Sequence, residues 1–273
     1  MSSRCPVCNE SGGPSLGKRG VMFECLGTFR RDLSGMTMVL DKGLGLHGLE
    51  DLLSVAGSYV QIVKFGWGTT KVIDGPLIDK KIELIRARGI HVCPGGTFLE
   101  IAVSRQAVRP FLAEARALGF SCIEVSNGML DIPLSCKLDL IKQARDAGFT
   151  VVSEVGKKTA EEDGLLDAEA RCFQAGRELE AGSWKVILEA RESGSLGIFD
   201  KSGKVRAAFV DDLVRDLDVE QIIFEAPHKE QQVWLMRRFG SGVHLGNVSP
   251  ADALALETLR QGLRADTFKD FGM

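Results

Sequence analysis

The chain reads as one (β/α)8 barrel of the α/β class behind a short irregular N-terminal extension. Three observations predict it. Eight short β-branched or apolar runs recur along the chain, amphipathic helical patterns fall between them, and no long linker interrupts the rhythm. The length of 273 residues agrees, because barrels of this kind commonly hold ~250 residues in one unit. The expected boundaries are an extension over 1–33 and a barrel over 34–273.

The strand runs begin near Met36 (MTMVLDK), Tyr59 (YVQIVKFG), His91 (HVCPGG), Cys122 (CIEVSNG), Thr150 (TVVSEVG), Lys185 (KVILEARES), Ile222 (IIFEAP) and Val243 (VHLGNV). Each is bounded by Gly, Pro or charged residues, the punctuation expected of short buried strands. Between them, Ile78, Ile82 and Ile85 share one helix face that Pro76 can open at its first turn. A helix around Phe111–Leu118 meets a stop at Gly119, and one striped by Leu134, Leu138 and Ile141 stops at Gly148. Ser249-Pro250 pairs an N-cap with Pro at N1 ahead of a stripe of Leu256, Leu259 and Leu263. Helical patterns also cover 47–56, 161–181, 206–217 and 228–238. The rival, an open doubly wound sheet, would carry a Gly-rich phosphate fingerprint after its first strand. That place holds Asp41-Lys42-Gly43-Leu44-Gly45-Leu46, without the third glycine at the required distance.

Composition bounds the function. Hydrophobic residues make up 44% and charged residues 26%, with 34 Lys+Arg against 37 Asp+Glu and a net charge of -3. That balance argues against bulk affinity for nucleic acid or acidic membranes. No apolar run of about 18 residues is present, and the N-terminus lacks the apolar core of a signal peptide. A cytoplasmic protein is expected. The seven cysteines are scattered, which reads as reduced thiols, with Cys93 and Cys122 as small buried hydrophobes. Cys5-Pro-Val-Cys8 has the spacing of half a zinc site, but only Cys25 and His47 could complete it, so two free thiols are the expectation.

Charges sit where strands should be apolar. Asp41 and Lys42 close the first run, Lys64 ends the second, Glu124 lies in the fourth, and Glu154 and Lys157 in the fifth. Glu189 and Arg191 end the sixth and Glu225 the seventh. Burying such groups is costly unless they pair or bind a metal, and the C-terminal strand ends of this architecture build its active sites. Several carboxylates together suit Mg2+, a hard cation that prefers oxygen. Lys42, Lys64, Lys157 and Arg191 in the same mouth suit an anionic substrate. Gly246 and Asn247, leading into the Ser249-Pro250 helix start, fit a phosphate cradle. His91 reads as structural. His228 and His244 fall near the expected mouth without metal-ligand spacing, and no His-based triad is expected.

The stretches Asp41-Lys42-Gly43, Lys64-Phe65-Gly66-Trp67-Gly68-Thr69, Pro94-Gly95-Gly96-Thr97, Glu124-Val125-Ser126-Asn127-Gly128 and Ser153-Glu154-Val155-Gly156-Lys157-Lys158 resemble the phosphosulfolactate synthase family. So do Glu189-Ala190-Arg191-Glu192-Ser193-Gly194, Phe224-Glu225-Ala226-Pro227, Gln231-Gln232 and the closing segment from Leu256 to Arg264. The match runs in register from Ser34 to Phe268. It departs in the longer leader, in His244 where the family commonly has Asn, and in Phe65 at a usually aliphatic position.

The resemblance implies a Mg2+-dependent lyase that adds sulfite to phosphoenolpyruvate, giving (2R)-phospho-3-sulfolactate, the first step of coenzyme M or related sulfonate biosynthesis. It also implies a homo-oligomer. Under it, Lys157 is the expected proton donor at C2, with Lys158 turned outward or toward phosphate. Glu124, Glu154, Glu189 and Glu225, with Asp41 behind them, are the candidate metal ligands. Lys42, Lys64 and Arg191, with Gly246 and Asn247, are the candidates for phosphate, carboxylate or sulfite. The family's breadth leaves a second class open: a catalytically silent barrel acting as a stress-related protein-binding protein. Retention of Lys157 and all four glutamates favours the enzyme.

Overall fold

The computed structural model describes residues 35–272. The expected extension, with Cys5, Cys8 and Cys25, lies outside the described residues. In chain order the elements are β1 (Thr37–Asp41), α1 (Leu46–Ala56), β2 (Ile62–Phe65), α2 (Gly75–Arg86), β3 (His91–Cys93), α3 (Gly96–Ser104), α4 (Val108–Leu118), β4 (Cys122–Val125) and α5 (Leu134–Asp146). There follow β5 (Thr150–Val155), α6 (Ala160–Asp163), α7 (Ala168–Ala181), β6 (Lys185–Leu188), α8 (Ala207–Leu213), β7 (Ile222–Glu225), α9 (Lys229–Phe239), β8 (His244–Val248), α10 (Ala253–Arg260) and α11 (Phe268–Phe271).

Every ladder is parallel, in the order β3-β2-β1-β8-β7-β6-β5-β4. The ends of that order nearly meet. At the seam Ser121 N–H donates to the Val92 carbonyl at 3.2 Å, and the Ser121 hydroxyl accepts the Val92 N–H at 3.2 Å. The result is the expected (β/α)8 barrel with one lightly bonded join.

Side chains alternate across each strand with period two. Ile62, Cys122, Val152, Ile187 and Ile223 point inward and pack in the barrel interior with Met36, Met38 and Cys93. Their neighbours Val63, Ile123, Val151, Val186 and Ile222 face the helical ring in two larger apolar clusters. Two residues beyond each inward apolar group stands a charged one: Lys64, Glu124, Glu154, Glu189 and Glu225. An apolar floor therefore carries a charged upper layer.

The helices mostly follow their sequence signals. Ser249-Pro250 opens a 3-10 turn rather than α10, which ends at Arg260 and leaves Leu263 of the expected stripe exposed. Three further differences stand out. Pro76 opens α2, whose buried face carries Ile78, Ile82 and Ile85 as expected, and Gly119 closes α4 at φ 92°. Helix α3, which the sequence reading did not anticipate, starts directly after Gly95 and aims its first turn at the barrel mouth. The 161–181 pattern breaks into α6 and α7, the latter capped by Asp167 accepting the Ala170 N–H at 2.8 Å. In α5 the buried face is Lys137, Leu140, Ile141 and Ala144 rather than the expected stripe through Leu134 and Leu138. A lysine thus occupies a core position.

Candidate active site

The upper layer opens at the C-terminal strand ends into a cavity of about 230 Å3. Lys64 from β2 lies between two carboxylates, 3.0 Å from Glu124 Oε2 and 3.2 Å from Glu225 Oε1. Glu124 Oε1 accepts the Gly96 N–H at 2.8 Å, so the start of α3 is tied to β4. A Cβ on Gly96 would stand 2.4 Å from Ser126 Oγ and 2.8 Å from Glu124 Oε1, and only glycine fits that approach. Glu225 Oε2 accepts the Ala190 N–H at 3.0 Å.

Glu154, Glu189 and Glu225 each offer a carboxylate oxygen, and the three oxygens lie within 4.8 Å of one another. Glu154 Oε1 and Glu189 Oε2 are buried without a hydrogen-bond partner. The nearest cation is Lys158, 3.7 Å from Glu154 and 3.8 Å from Glu189, whose ammonium donates to Thr97 Oγ1 at 2.8 Å. Burial, with the charges of Glu154 and Glu225 added, pushes the Glu189 carboxyl well above its usual range. Burial raises Glu124 too, against the pull of Lys64. Glu154 goes the other way: burial opposes its charge, but Lys158 and Lys64 overcome it. Desolvation likewise works against the Lys64 ammonium, yet Glu124, Glu225 and Glu154 hold it well above the ordinary lysine value. Glu154 also keeps the Lys158 ammonium charged. Three crowded carboxylates, two of them with an orphaned oxygen, are what a divalent cation would satisfy. Glu154, Glu189 and Glu225 lie close enough together to hold such an ion, whereas Glu124 stands outside that group, tied to Lys64 and to the Gly96 amide.

Two expected site residues lie elsewhere, for one reason. Asp41 is out of phase with the inward residues Met38 and Leu40 of β1. It faces the helices, where Lys81 of α2 pairs with it at 2.6 Å and the Gly43 and Leu44 amides donate to it at 2.8 and 2.7 Å. It braces a loop and does not join the carboxylate cluster. Lys157 is out of phase with Glu154: its ammonium donates to the Asn127 carbonyl at 2.9 Å and lies 3.7 Å from the exposed Asp131. Its neighbour Lys158 has the phase of Glu154 and lines the cavity instead, so Lys158 is not turned outward. A Cβ on Gly128 would stand 2.8 Å from Lys158 Cε, so the missing side chain there leaves the lysine its channel.

The remaining candidates divide. Arg191, at φ 61°, lines the cavity, donates to the Lys158 carbonyl at 2.5 Å and presents its own N–H to Glu189 Oε1 at 2.6 Å. Lys42 is exposed, its ammonium 5.2 Å from the Trp67 ring at the rim. Between β1 and β8 the register runs Thr37↔Leu245 then Val39↔Val248, so β8 holds one extra residue. This bulge, with Asn247 at φ 54°, turns Asn247 into the cavity while Gly246 stays packed against Met38 and Ile223. His244 opens β8 at the opposite end of the barrel and is no part of the mouth. His228 caps α9 and bonds the Ser193 carbonyl.

Thr97 and the α3 terminus were not anticipated from sequence, and Lys158 was expected only to turn outward or toward phosphate. The Gly95-Gly96 pair before Thr97 was the available signal.

The family model for (2R)-phospho-3-sulfolactate synthase matches residues 30–266. The chain belongs to that family. A phosphosulfolactate synthase of Methanocaldococcus jannaschii is 46% identical over 235 residues, covering 86% of this chain and 94% of that protein. One of Bacillus subtilis is 39% identical over 236 residues, covering 86% and 92%. Among solved structures, a 3-hexulose-6-phosphate synthase superposes with a TM-score of 0.51 at 15% identity, covering 84% of this chain and 99% of that one, a likeness of fold alone. The chain is therefore an enzyme of a family of C–S bond-forming lyases.

Proposed function

We propose that this enzyme adds sulfite to C3 of phosphoenolpyruvate with Mg2+ as its metal, in the cytoplasm, at the head of coenzyme M or related sulfonate synthesis. The observation that carries the reading is the split character of the mouth. Glu154, Glu189 and Glu225 form one acidic wall, and Lys64, Lys158 and Arg191 face the same cavity. An anionic substrate bridging a metal to cationic side chains suits that division.

Phosphoenolpyruvate is electron-rich and resists a nucleophile, so the negative charge released by attack needs somewhere to go. The sulfur lone pair forms the C3–S bond, the C2=C3 π pair moves toward the carboxylate, and a proton returns to C2, with phosphate retained. Mg2+ on the three glutamates would supply Lewis-acid stabilisation of the carboxylate. The chain's residues do the rest. Lys158, not Lys157, is the proposed proton donor to C2, because its ammonium reaches the cavity from one wall, and delivery from one face sets the R configuration. Lys64, held rigidly by Glu124 and Glu225, and Arg191 are the proposed anion contacts, with Asn247 beside them.

The test is direct. Purified protein with phosphoenolpyruvate, sulfite and Mg2+ should yield, by mass spectrometry, a product carrying both phosphate and sulfonate, and EDTA should stop it. Inorganic phosphate as the main product, or no turnover at any sulfite concentration, would reject the reading.

A further inference from the structure

Lys137 sits on the core-facing side of α5, where an amphipathic helix ordinarily places an aliphatic side chain, and it is fully buried. An ammonium has three N–H donors. Here three acceptors surround it: Glu178 Oε1 at 2.6 Å, the main-chain carbonyl of Glu154 at 2.6 Å and Asn127 Oδ1 at 3.2 Å. Glu178, on α7, is itself steadied by the Gln174 amide at 2.7 Å. A well-packed apolar residue would fill the same place at lower desolvation cost, so simple packing does not account for a lysine. What the charge adds is a tie between two adjacent strand ends. One is the β5 end that carries Glu154. The other is the loop after β4, where the Asn127 carbonyl receives Lys157.

The Glu154 carboxylate gives that tie its importance. Its Oε1 has no hydrogen-bond partner, and the nearest ammonium is 3.7 Å away. The placement of this oxygen therefore depends on its main chain as well as on Lys158, and the side chain that grips that main chain from behind is Lys137.

We infer that Lys137 is a positioning residue for the metal end of the site, holding the Glu154 backbone so that its carboxylate meets the cation. The inference rests on the proposed reading of Glu154 as a metal ligand. Groups that orient metal ligands from behind typically change metal affinity ~10–100-fold when removed.

The experiment is Mg2+ titration of the full chain by calorimetry, beside thermal melts, for wild type, Glu178→Gln and the double variant Lys137→Met/Glu178→Gln. The double variant removes both charges, so no buried carboxylate is left unpaired and its Tm should stay near wild type. Its Mg2+ Kd should rise ~10–100-fold. Glu178→Gln alone keeps the lysine bonds to Glu154 and Asn127, and its Mg2+ affinity should stay near wild type even if its Tm falls. Should the double variant not fold, Lys137→Gln/Glu178→Gln carries the same test, since it too removes both charges and its shorter side chain cannot span all three acceptors. Wild-type affinity in the lysine-lacking variant would overturn the positioning role and leave the metal reading standing. No Mg2+ binding by the wild-type protein would instead remove the metal reading, and this inference with it.

Discussion

Adjacent residues of one type have different surroundings in this chain, and the two lysines after β5 show how different. Lys158 is flanked by Glu154, Glu189 and Thr97, while Lys157 is spent on a carbonyl of the neighbouring loop. Lys158→Ala should lose ~100–10,000-fold in kcat, the usual contribution of a general acid. Lys157→Ala should lose far less. Steady-state kinetics of the pair decide it, and the reverse ranking would return the proton to Lys157. Glu189 makes a separate prediction. Glu189→Gln should raise the Mg2+ concentration needed for half-maximal rate, and excess Mg2+ should recover part of the activity. A loss of kcat that no metal concentration relieves would assign Glu189 to proton transfer instead.

Elements are joined here by buried ion pairs as well as by apolar contact. Lys81 of α2 reaches Asp41 of β1, Arg171 of α7 reaches Asp163 of α6 at 2.6 Å, and Asp163 in turn accepts the Lys157 N–H at 3.0 Å. Each clamps a loop at the barrel mouth. Breaking such a pair leaves one charge buried and uncompensated, typically costing about 3–5 kcal/mol. Lys81→Met should therefore lose stability on that scale in urea unfolding, although the position is in the second turn of an otherwise apolar helix face. Asp41→Asn/Lys81→Met together should recover much of it. A neutral single substitution would show that Asp41 finds solvent or another partner.

Over the whole molecule, the two ends of the barrel have separate roles. The C-terminal end gathers charge around a cavity; the N-terminal end is closed by packing and by His244. The imidazole Nδ1 accepts the Met36 N–H at 3.1 Å, which places the ring proton on Nε2, directed at the Glu220 carbonyl at 3.0 Å. Burial, with Lys185 and Arg260 nearby, lowers its pKa, against the opposing pull of Glu220. Because the unfolded chain takes up the proton more readily, His244 contributes stability that is complete above about pH 6.5. It is lost as pH falls from there through the lower folded-state value. The Tm of the wild-type protein should drop more between pH 7.5 and 5.5 than that of His244→Asn, and equal slopes would exclude the histidine. Exposed Leu165 and Phe173 beside α7 are apolar surface that association would cover. A homo-oligomer is the expected state, which light scattering at micromolar concentration tests directly. No helix among the described residues is long and apolar enough to cross a membrane.

Much of this was legible in the linear chain. Eight apolar runs separated by helical stripes determined the barrel, because strand and helix periods are local properties of sequence. The same is true of charge at the strand ends, since Lys64, Glu124, Glu154, Glu189 and Glu225 each stand two residues beyond an apolar residue of their own strand. The same spacing does not single out Asp41, because Val39 two residues before it is apolar too; only the fold shows that this phase of β1 faces the helices. Tertiary structure decided the rest. A bulge in β8 turned Asn247 inward, a short helix after Gly95 brought Thr97 to Lys158, and the face of α5 rotated to bury Lys137 under Glu154. None of these follows from periodicity. Each depends on which carbonyl, carboxylate or amide another part of the chain places within about 3 Å, the reach of a hydrogen bond.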